Sequence, residues 1–142
     1  MWIPFGKPQA LARVAGGNEA PCLFGTVKFY QMGKHVLVVA DICGLPQSPT
    51  GIFALHIHEG GSCRDPGAHF NPQDAPHPNH AGDLPPLFSC NGKAFLAVMT
   101  DRFTISQIRG RTVIVHAGPD DFTTQPSGNP GSRLACGIIA SC

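Results

Sequence analysis

The sequence predicts an all-β fold, an antiparallel sandwich or barrel formed by one domain, residues 1–142. Glycine (17) and proline (14) together make up 31 of the 142 residues, a share well above the roughly 12% of average usage. So many turn-forming residues leave little room for long helices. Seven or eight short segments rich in β-branched and aromatic residues alternate with turn signals. We find no internal repeat, and the length is that of a single domain.

The first three predicted strands include a hairpin. Residues 10–14 alternate weakly and stop at a Gly-Gly-Asn turn, which indicates a first strand. Residues 23–31 and 35–42 flank a Met-Gly-Lys turn at residues 32–34, a pattern typical of two strands joined as a hairpin.

The next predicted strand, residues 52–59, follows a turn-rich connection at residues 44–51 and has two different faces. Successive side chains of a strand point to opposite faces. The apolar face consists of Phe53, Leu55 and Ile57. We expect this face to lie in the core, with His56 and His58 projecting together from the other face.

The second half of the chain predicts four more strands. They are residues 84–89, 93–99, 112–116 and 134–140. The Asn-Gly pair between the first two is a strong signal for a tight turn. Residues 103–108 are compatible with a strand or with a connection, and residues 118–132 are predicted to be a long loop.

Charge excludes two classes of partner. The net charge is +1 and only 13% of residues are charged, so no basic field indicates nucleic-acid binding and no basic amphipathic segment indicates a membrane surface. No apolar run approaches the roughly 18 residues that a membrane span needs. We therefore expect a soluble protein.

Six cysteines in 142 residues favour an oxidising compartment, which is extracytoplasmic or secreted. Residues 1–14 lack the charged start, apolar stretch and small-residue cleavage site of a secretory leader. A leader was therefore either removed or never present, and a cytoplasmic location is the alternative.

Residues 56–83 hold five of the seven histidines. They are His56, His58, His69, His77 and His80, and Asp83 closes the stretch. Imidazole is the commonest protein ligand for zinc and copper, so this density predicts a metal site. The alternative is a solvated, proline-rich loop that carries histidines by chance.

One part of the stretch suits zinc. His77, His80 and Asp83 recur every three residues and give three donors, and His69 is the obvious fourth ligand of a tetrahedral site. With the remaining histidines, the donors are too many for one four-coordinate ion. Two metals, or one metal with redundant ligands, are the two options.

The other candidate donors are all imidazoles. His56 and His58 share a strand face, and His116 ends a later strand, where functional groups often gather. If His69 bridges the two sets, four nitrogens surround the second ion, an arrangement that favours copper(II).

Four segments resemble copper/zinc superoxide dismutases. They are HIHE at 56–59, GAHFNP at 67–72, HAGDL at 80–84 and GSRLACG at 131–137. The Gly-Asp-Leu-Pro run at 82–85 and the short connections resemble the bacterial branch. The resemblance covers nearly the whole chain and implies an eight-stranded antiparallel Greek-key β-barrel or sandwich, immunoglobulin-like, with long metal-binding and channel loops.

The resemblance also implies two cofactors, copper and zinc. The copper ligands would be His56, His58, His69 and His116. The zinc ligands would be His69, His77, His80 and Asp83, with the imidazolate of His69 bridging the two ions. The implied activity is dismutation of the superoxide anion to oxygen and hydrogen peroxide through Cu(II) and Cu(I), with His69 also carrying a proton.

Further positions match residues around the metals in the family. Cys63 and Cys136 match its intrachain disulfide, and Arg133 matches the arginine that attracts superoxide at the channel mouth. Asp120 matches the carboxylate that links His56 to His77. A homodimer is one option for the assembly.

Two other functions fit parts of this pattern. A non-catalytic copper/zinc-binding protein for storage or delivery would keep the ligands but need neither the bridge nor Arg133. A cupin-type metalloenzyme also offers His-x-His on a barrel, but Glu59 follows His58 directly and points to the other face.

The chain departs from many relatives at both metal loops. Only Pro78 and Asn79 separate His77 from His80, and residues 122–132 hold no charged side chain. Pro126 and Ser127 stand where a lysine and a threonine are common. With fewer steering charges, we expect the reaction rate to depend only weakly on salt.

Four cysteines fall outside the matched pair. If the hairpin turns at Met32-Gly33, Cys22 and Cys43 are equidistant from it, and a cross-strand disulfide is expected. Cys90 and Cys142 are expected at the pole away from the metals, either paired with each other or linking two subunits.

Overall fold

The computed structural model describes residues 6–142, so the start of the segment tested for a leader lies outside it. Eight strands and one four-residue helix occur within this range. The strands are β1 Ala10–Gly16, β2 Phe24–Met32, β3 His35–Cys43, β4 Ile52–His58, β5 Asp83–Phe88, β6 Ala94–Thr100, β7 Thr112–His116 and β8 Arg133–Ser141, and the helix is α1 Ile105–Ile108. Within residues 6–142, no helix is long and apolar enough to cross a membrane.

The strands form one antiparallel sheet in the order β5-β4-β7-β8-β1-β2-β3-β6. Neighbours distant in sequence, such as β4 with β7 and β1 with β8, require the long connections of a Greek-key arrangement. The end strands β5 and β6 approach each other, so the sheet closes almost completely into a barrel. The predicted all-β class and antiparallel barrel are confirmed.

The barrel interior is packed with apolar side chains. The expected core face of β4 is confirmed, since Phe53, Leu55 and Ile57 are fully buried. His56 and His58 project from the other face of β4 but are also buried, because the long loops cover that face. The face of β4 that carries His56 and His58 therefore lies between the barrel and the long loops.

The ambiguous segment at residues 103–108 contains a single helical turn, α1. The Thr104 hydroxyl accepts a hydrogen bond from the Gln107 N–H at 3.3 Å, and the Gln107 side chain accepts one from the Thr104 N–H at 2.8 Å. This reciprocal capping box satisfies the free donors at the start of a helix. Ile105 and Ile108, three residues apart, lie on the buried side of this turn.

The expected Cys22–Cys43 disulfide is wrong. The β2–β3 hairpin pairs Met32 with His35, so it turns one residue later than expected, and Phe24 rather than Cys22 lies opposite Cys43. Cys22 lies before the first residue of β2. Within residues 6–142 both are free thiols, as are Cys90 and Cys142, so neither of the two additional intrachain pairings is formed.

Candidate metal centre

Two groups of metal-ligand atoms meet on the outer face of β4. The first contains His56, His58, His69 and His116, and the second contains His69, His77, His80 and Asp83. Within each group the potential ligand atoms lie within 4.8 Å of one another. The groups have the same members as the two sets predicted from the sequence, and His69 belongs to both.

The barrel and the loop that follows β4 bring the first group together. β7 pairs with β4 in a register that places Val115 beside Leu55, so His116 comes next to the histidines of β4. The loop returns along β4, where the Phe70 N–H donates to the Ile57 carbonyl at 2.8 Å. This contact sets His69 opposite His58.

Hydrogen bonds outside the cluster orient the rings of the first group. His56 uses Nε2 to donate to Asp120 at 2.8 Å, and His58 Nδ1 lies 2.7 Å from the Gly67 carbonyl. The other nitrogen of each ring faces the cluster. His56 Nδ1 and His69 Nε2 are buried and have no hydrogen-bond partner among the described residues. An unpaired buried nitrogen costs roughly 1–3 kcal/mol, so this arrangement fits a metal ion that takes the lone pairs.

In the second group, three imidazoles converge on one carboxylate. Asp83 Oδ1 lies 2.8 Å from His69 Nδ1, and Oδ2 lies 3.0 Å from His77 Nδ1 and 3.2 Å from His80 Nδ1. Three nitrogens and one oxygen are a donor set that suits tetrahedral zinc. The residues present therefore fit both implied ions.

Asp120 links the two groups. Its buried carboxylate accepts hydrogen bonds from His56 Nε2 at 2.8 Å and from His77 Nε2 at 2.7 Å, and the Phe122 N–H donates to it at 2.8 Å. Such outer contacts fix which ring nitrogen is free and so tune the bound ion. Asp121, the neighbouring carboxylate, is exposed and instead accepts hydrogen bonds from Thr123 and Thr124.

Burial keeps three histidines of the first group, His56, His58 and His116, neutral. It lowers the pKa of His56 to about 2, aided by the neighbouring charges of His69 and His116. Burial likewise lowers the pKa of His58 to about 4 and that of His116 to about 3. Neutral imidazole is the form that binds metals, so at neutral pH these rings need lose no proton on binding.

The second group combines a neutral ring with an ionised carboxylate. Burial lowers the pKa of His80. Burial alone would raise the pKa of Asp83, but the hydrogen bond from His69 and the positive potential of the histidines outweigh it and hold that pKa below its usual value.

An open cleft of about 810 Å³ leads to the histidines from solvent. His58, His69, His116 and the exposed Arg133 line it, and the positive charge of Arg133 contributes to the lowered pKa values of His58 and His116. Three acidic residues also line this cleft, which sequence reasoning missed. They are Glu19, Glu59 and Asp74.

The disulfide implied by the resemblance is present. Cys63 and Cys136 are bonded, with their Cα atoms 5.8 Å apart. The bond ties the metal-binding loop to β8, only three residues from Arg133.

The structure also shows that Arg111 supports the loop of the site, which no sequence pattern indicated. Arg111 lies with its guanidinium carbon 4.2 Å from the centre of the Phe70 ring and donates to the Glu59 carbonyl at 2.7 Å. It thus joins the start of the loop that follows β4 to the part of that loop beside His69. Arginine is common on surfaces, so nothing in the sequence distinguishes this one.

The model of the family described as copper/zinc superoxide dismutase matches residues 23–139. A Legionella pneumophila superoxide dismutase [Cu-Zn] is 34% identical over 84% of this chain and 79% of its own length. Superoxide dismutase [Cu-Zn] 3 of Arabidopsis thaliana is 37% identical over 98% of this chain and 94% of its own.

Relatives also include a rat protein named extracellular superoxide dismutase [Cu-Zn], 32% identical over 99% of this chain and 69% of its own length. Bacterial and eukaryotic relatives thus match at similar identity. The extent of these matches, together with two donor groups that fit copper and zinc, shows that this chain belongs to the copper/zinc superoxide dismutase family.

Proposed function

We propose that the protein converts two superoxide anions and two protons into oxygen and hydrogen peroxide, with copper at the first donor group and zinc at the second. The observation that carries this proposal is the position of His69. Its Nδ1 lies 2.8 Å from Asp83 in the second group, its Nε2 is buried with no hydrogen-bond partner among the described residues, and His69 is a member of both groups. Copper supplies the alternation between two oxidation states, and zinc has no redox chemistry of its own.

His69 also carries a proton in this proposal. Its Nε2 takes up one proton when the first superoxide is oxidised. Nε2 then gives this proton to the second superoxide, which is reduced to peroxide. The ring is held through Nδ1, so Nε2 can gain and lose its proton without movement of the loop. The cleft gives small anions access to this nitrogen.

Arg133 attracts and orients the substrate. It is exposed at the cleft, and its guanidinium is the positive group placed beside His58 and His116. The acidic residues of the cleft oppose it, so the net attraction falls off over a short distance.

The test is turnover of superoxide by protein loaded with copper and zinc, compared with protein stripped by a chelator. The proposal predicts activity that is lost on stripping and restored by copper. Full copper binding without turnover would instead establish the alternative, a non-catalytic copper/zinc-binding protein.

We propose further that the whole chain, residues 1–142, acts as one domain in an extracytoplasmic or secreted compartment. The disulfide and the relative named as extracellular support this location. Cell fractionation with a periplasmic or secreted marker tests it.

We also propose a homodimer. Phe95 and Met99, four residues apart on β6, are 48% and 50% exposed, and a partner that covers them would remove apolar surface from water. Sedimentation equilibrium tests this, and a monomer at all concentrations would contradict it.

A further inference from the structure

The zinc ligands His77 and His80 are separated by only Pro78 and Asn79. We propose that two side chains from elsewhere in the chain, Arg102 and Gln125, clamp the backbone of residues 77–80 and thereby position two zinc ligands. This inference rests on the proposed function, since it concerns retention of the zinc ion by the second donor group.

Gln125 holds His77 at both of its backbone polar groups. Its Oε1 accepts from the His77 N–H at 2.9 Å, and its Nε2 donates to the His77 carbonyl at 2.7 Å. One side-chain amide thus makes the pair of hydrogen bonds that a neighbouring strand would make. Because both peptide groups around His77 are fixed, the direction of its Cα–Cβ bond is fixed too.

Arg102 holds the next carbonyls. Its Nη1 donates to the Pro78 carbonyl at 2.7 Å and to the His80 carbonyl at 3.3 Å. Arg102 lies between β6 and α1, more than 20 residues from the segment. A guanidinium group presents several donors in a fixed plane, so it can serve two carbonyls at once.

The segment can make few hydrogen bonds of its own. Pro78 has no N–H, the Asn79 N–H donates to the Pro76 carbonyl at 2.8 Å, and the His80 N–H donates to Asp83 at 3.0 Å. The carbonyls of His77 and Pro78 depend on Gln125 and Arg102. A loop of two residues cannot satisfy its backbone internally, and the clamp supplies what it lacks.

The clamp also connects the zinc segment to the cleft. Pro126 and Ser127, which follow Gln125, line the cleft that leads to the first donor group. A displaced zinc segment would therefore also shift the wall of this cleft.

The experiment measures zinc retention by the copper- and zinc-loaded, disulfide-intact protein against a chromophoric chelator. The variants are Arg102→Met, Arg102→Lys and Gln125→Ala. Loss of an outer contact to a metal ligand typically weakens metal binding about 10- to 100-fold, and we expect that weakening for Arg102→Met and Gln125→Ala. Arg102→Lys keeps a donor and should recover part of the affinity.

Two controls match these changes in kind. Arg109→Met removes an exposed arginine from the same region, and Gln73→Ala removes an exposed glutamine from the metal-binding loop. Neither side chain makes a hydrogen bond within residues 6–142, so both variants should retain zinc as the unaltered protein does. Circular dichroism of each variant reports whether the barrel is folded.

A second readout is the visible spectrum of protein that carries Co²⁺ in place of zinc, which reports the geometry of the four ligands. The inference predicts altered bands in Arg102→Met and Gln125→Ala, with smaller changes in Arg102→Lys. Unchanged zinc retention and unchanged cobalt bands in both clamp variants would overturn it. An unaltered protein that binds zinc but does not turn over superoxide would overturn the proposed function and leave the clamp in place.

Discussion

Gly128 lies directly against Asp120: a Cβ atom on Gly128 would stand 2.0 Å from Asp120 Oδ1 and 2.5 Å from His77 Nε2. The φ angle of Gly128 is also +78°, a region that side chains with a Cβ rarely adopt. Only glycine leaves room for the carboxylate that joins the two donor groups. Gly128 is therefore part of the metal centre, although it carries no ligand atom.

Gly128→Ala should displace Asp120 and weaken binding of both metals, besides costing roughly 1–2 kcal/mol for the left-handed backbone. The matched control is Gly131→Ala. Gly131 has a φ of +80°, but its nearest neighbour is 3.7 Å from a Cβ, so this variant carries the strain without the clash. Thermal unfolding and metal analysis of both variants separate the two effects. Equal metal loss in the two would contradict this role for Gly128.

Asp120→Asn should weaken zinc and copper binding by about 10- to 100-fold. A neutral amide offers one oxygen and turns its NH₂ group towards a ring N–H of His56 or His77, so one of the two rings loses its orientation. Metal analysis after dialysis against a chelator checks this. Asp121→Asn, an exposed neighbour with no contact to either ring, is the control and should retain both ions.

The metal-free protein should lose stability as the pH falls below about 6.5. Folded His56, His58 and His116 have pKa values of about 2, 4 and 3, whereas in the unfolded chain they titrate near 6.5. The unfolded state therefore binds more protons between pH 6.5 and pH 4, and each histidine contributes about 1.4 kcal/mol of lost stability per pH unit. Urea unfolding of the metal-free protein from pH 7.5 to 4 measures the slope. Constant stability over that range would show that these rings are already solvated.

Arg133→Gln should lower kcat/KM for superoxide by roughly tenfold, because the guanidinium supplies the local attraction for the anion. In the unaltered protein we predict a shallow dependence of kcat/KM on ionic strength. The loop at residues 122–132 has no charge, and Glu19 and Glu59 oppose Arg133 within the cleft. A rate that falls steeply with added salt would contradict this prediction. Arg64→Gln, an exposed arginine that does not line the cleft, is the control.

Ligand pattern and strand periodicity were the parts of the fold and site that could be predicted from sequence. His56 and His58 share a face because strands alternate, and His77, His80 and Asp83 recur at a regular interval. Local signals were less precise. The hairpin between β2 and β3 turns at Gly33-Lys34, one residue later than the expected Met32-Gly33, so Cys22 does not lie opposite Cys43.

Residues that act through the backbone could not be predicted. Arg102 and Gln125 contact carbonyls and an N–H that are 24 and 48 positions away, and such contacts leave no periodic or chemical pattern in the sequence. Gly128 acts by lacking a side chain. Only the folded chain shows what these residues contact.

The most direct test is anomalous diffraction at the copper and zinc absorption edges from crystals of the metal-loaded protein. The predicted result is copper within the group of His56, His58, His69 and His116, zinc within the group of His77, His80 and Asp83, and the ring of His69 between the two ions. A ring of His69 that contacts one ion, or a first group that holds no copper, would contradict the account.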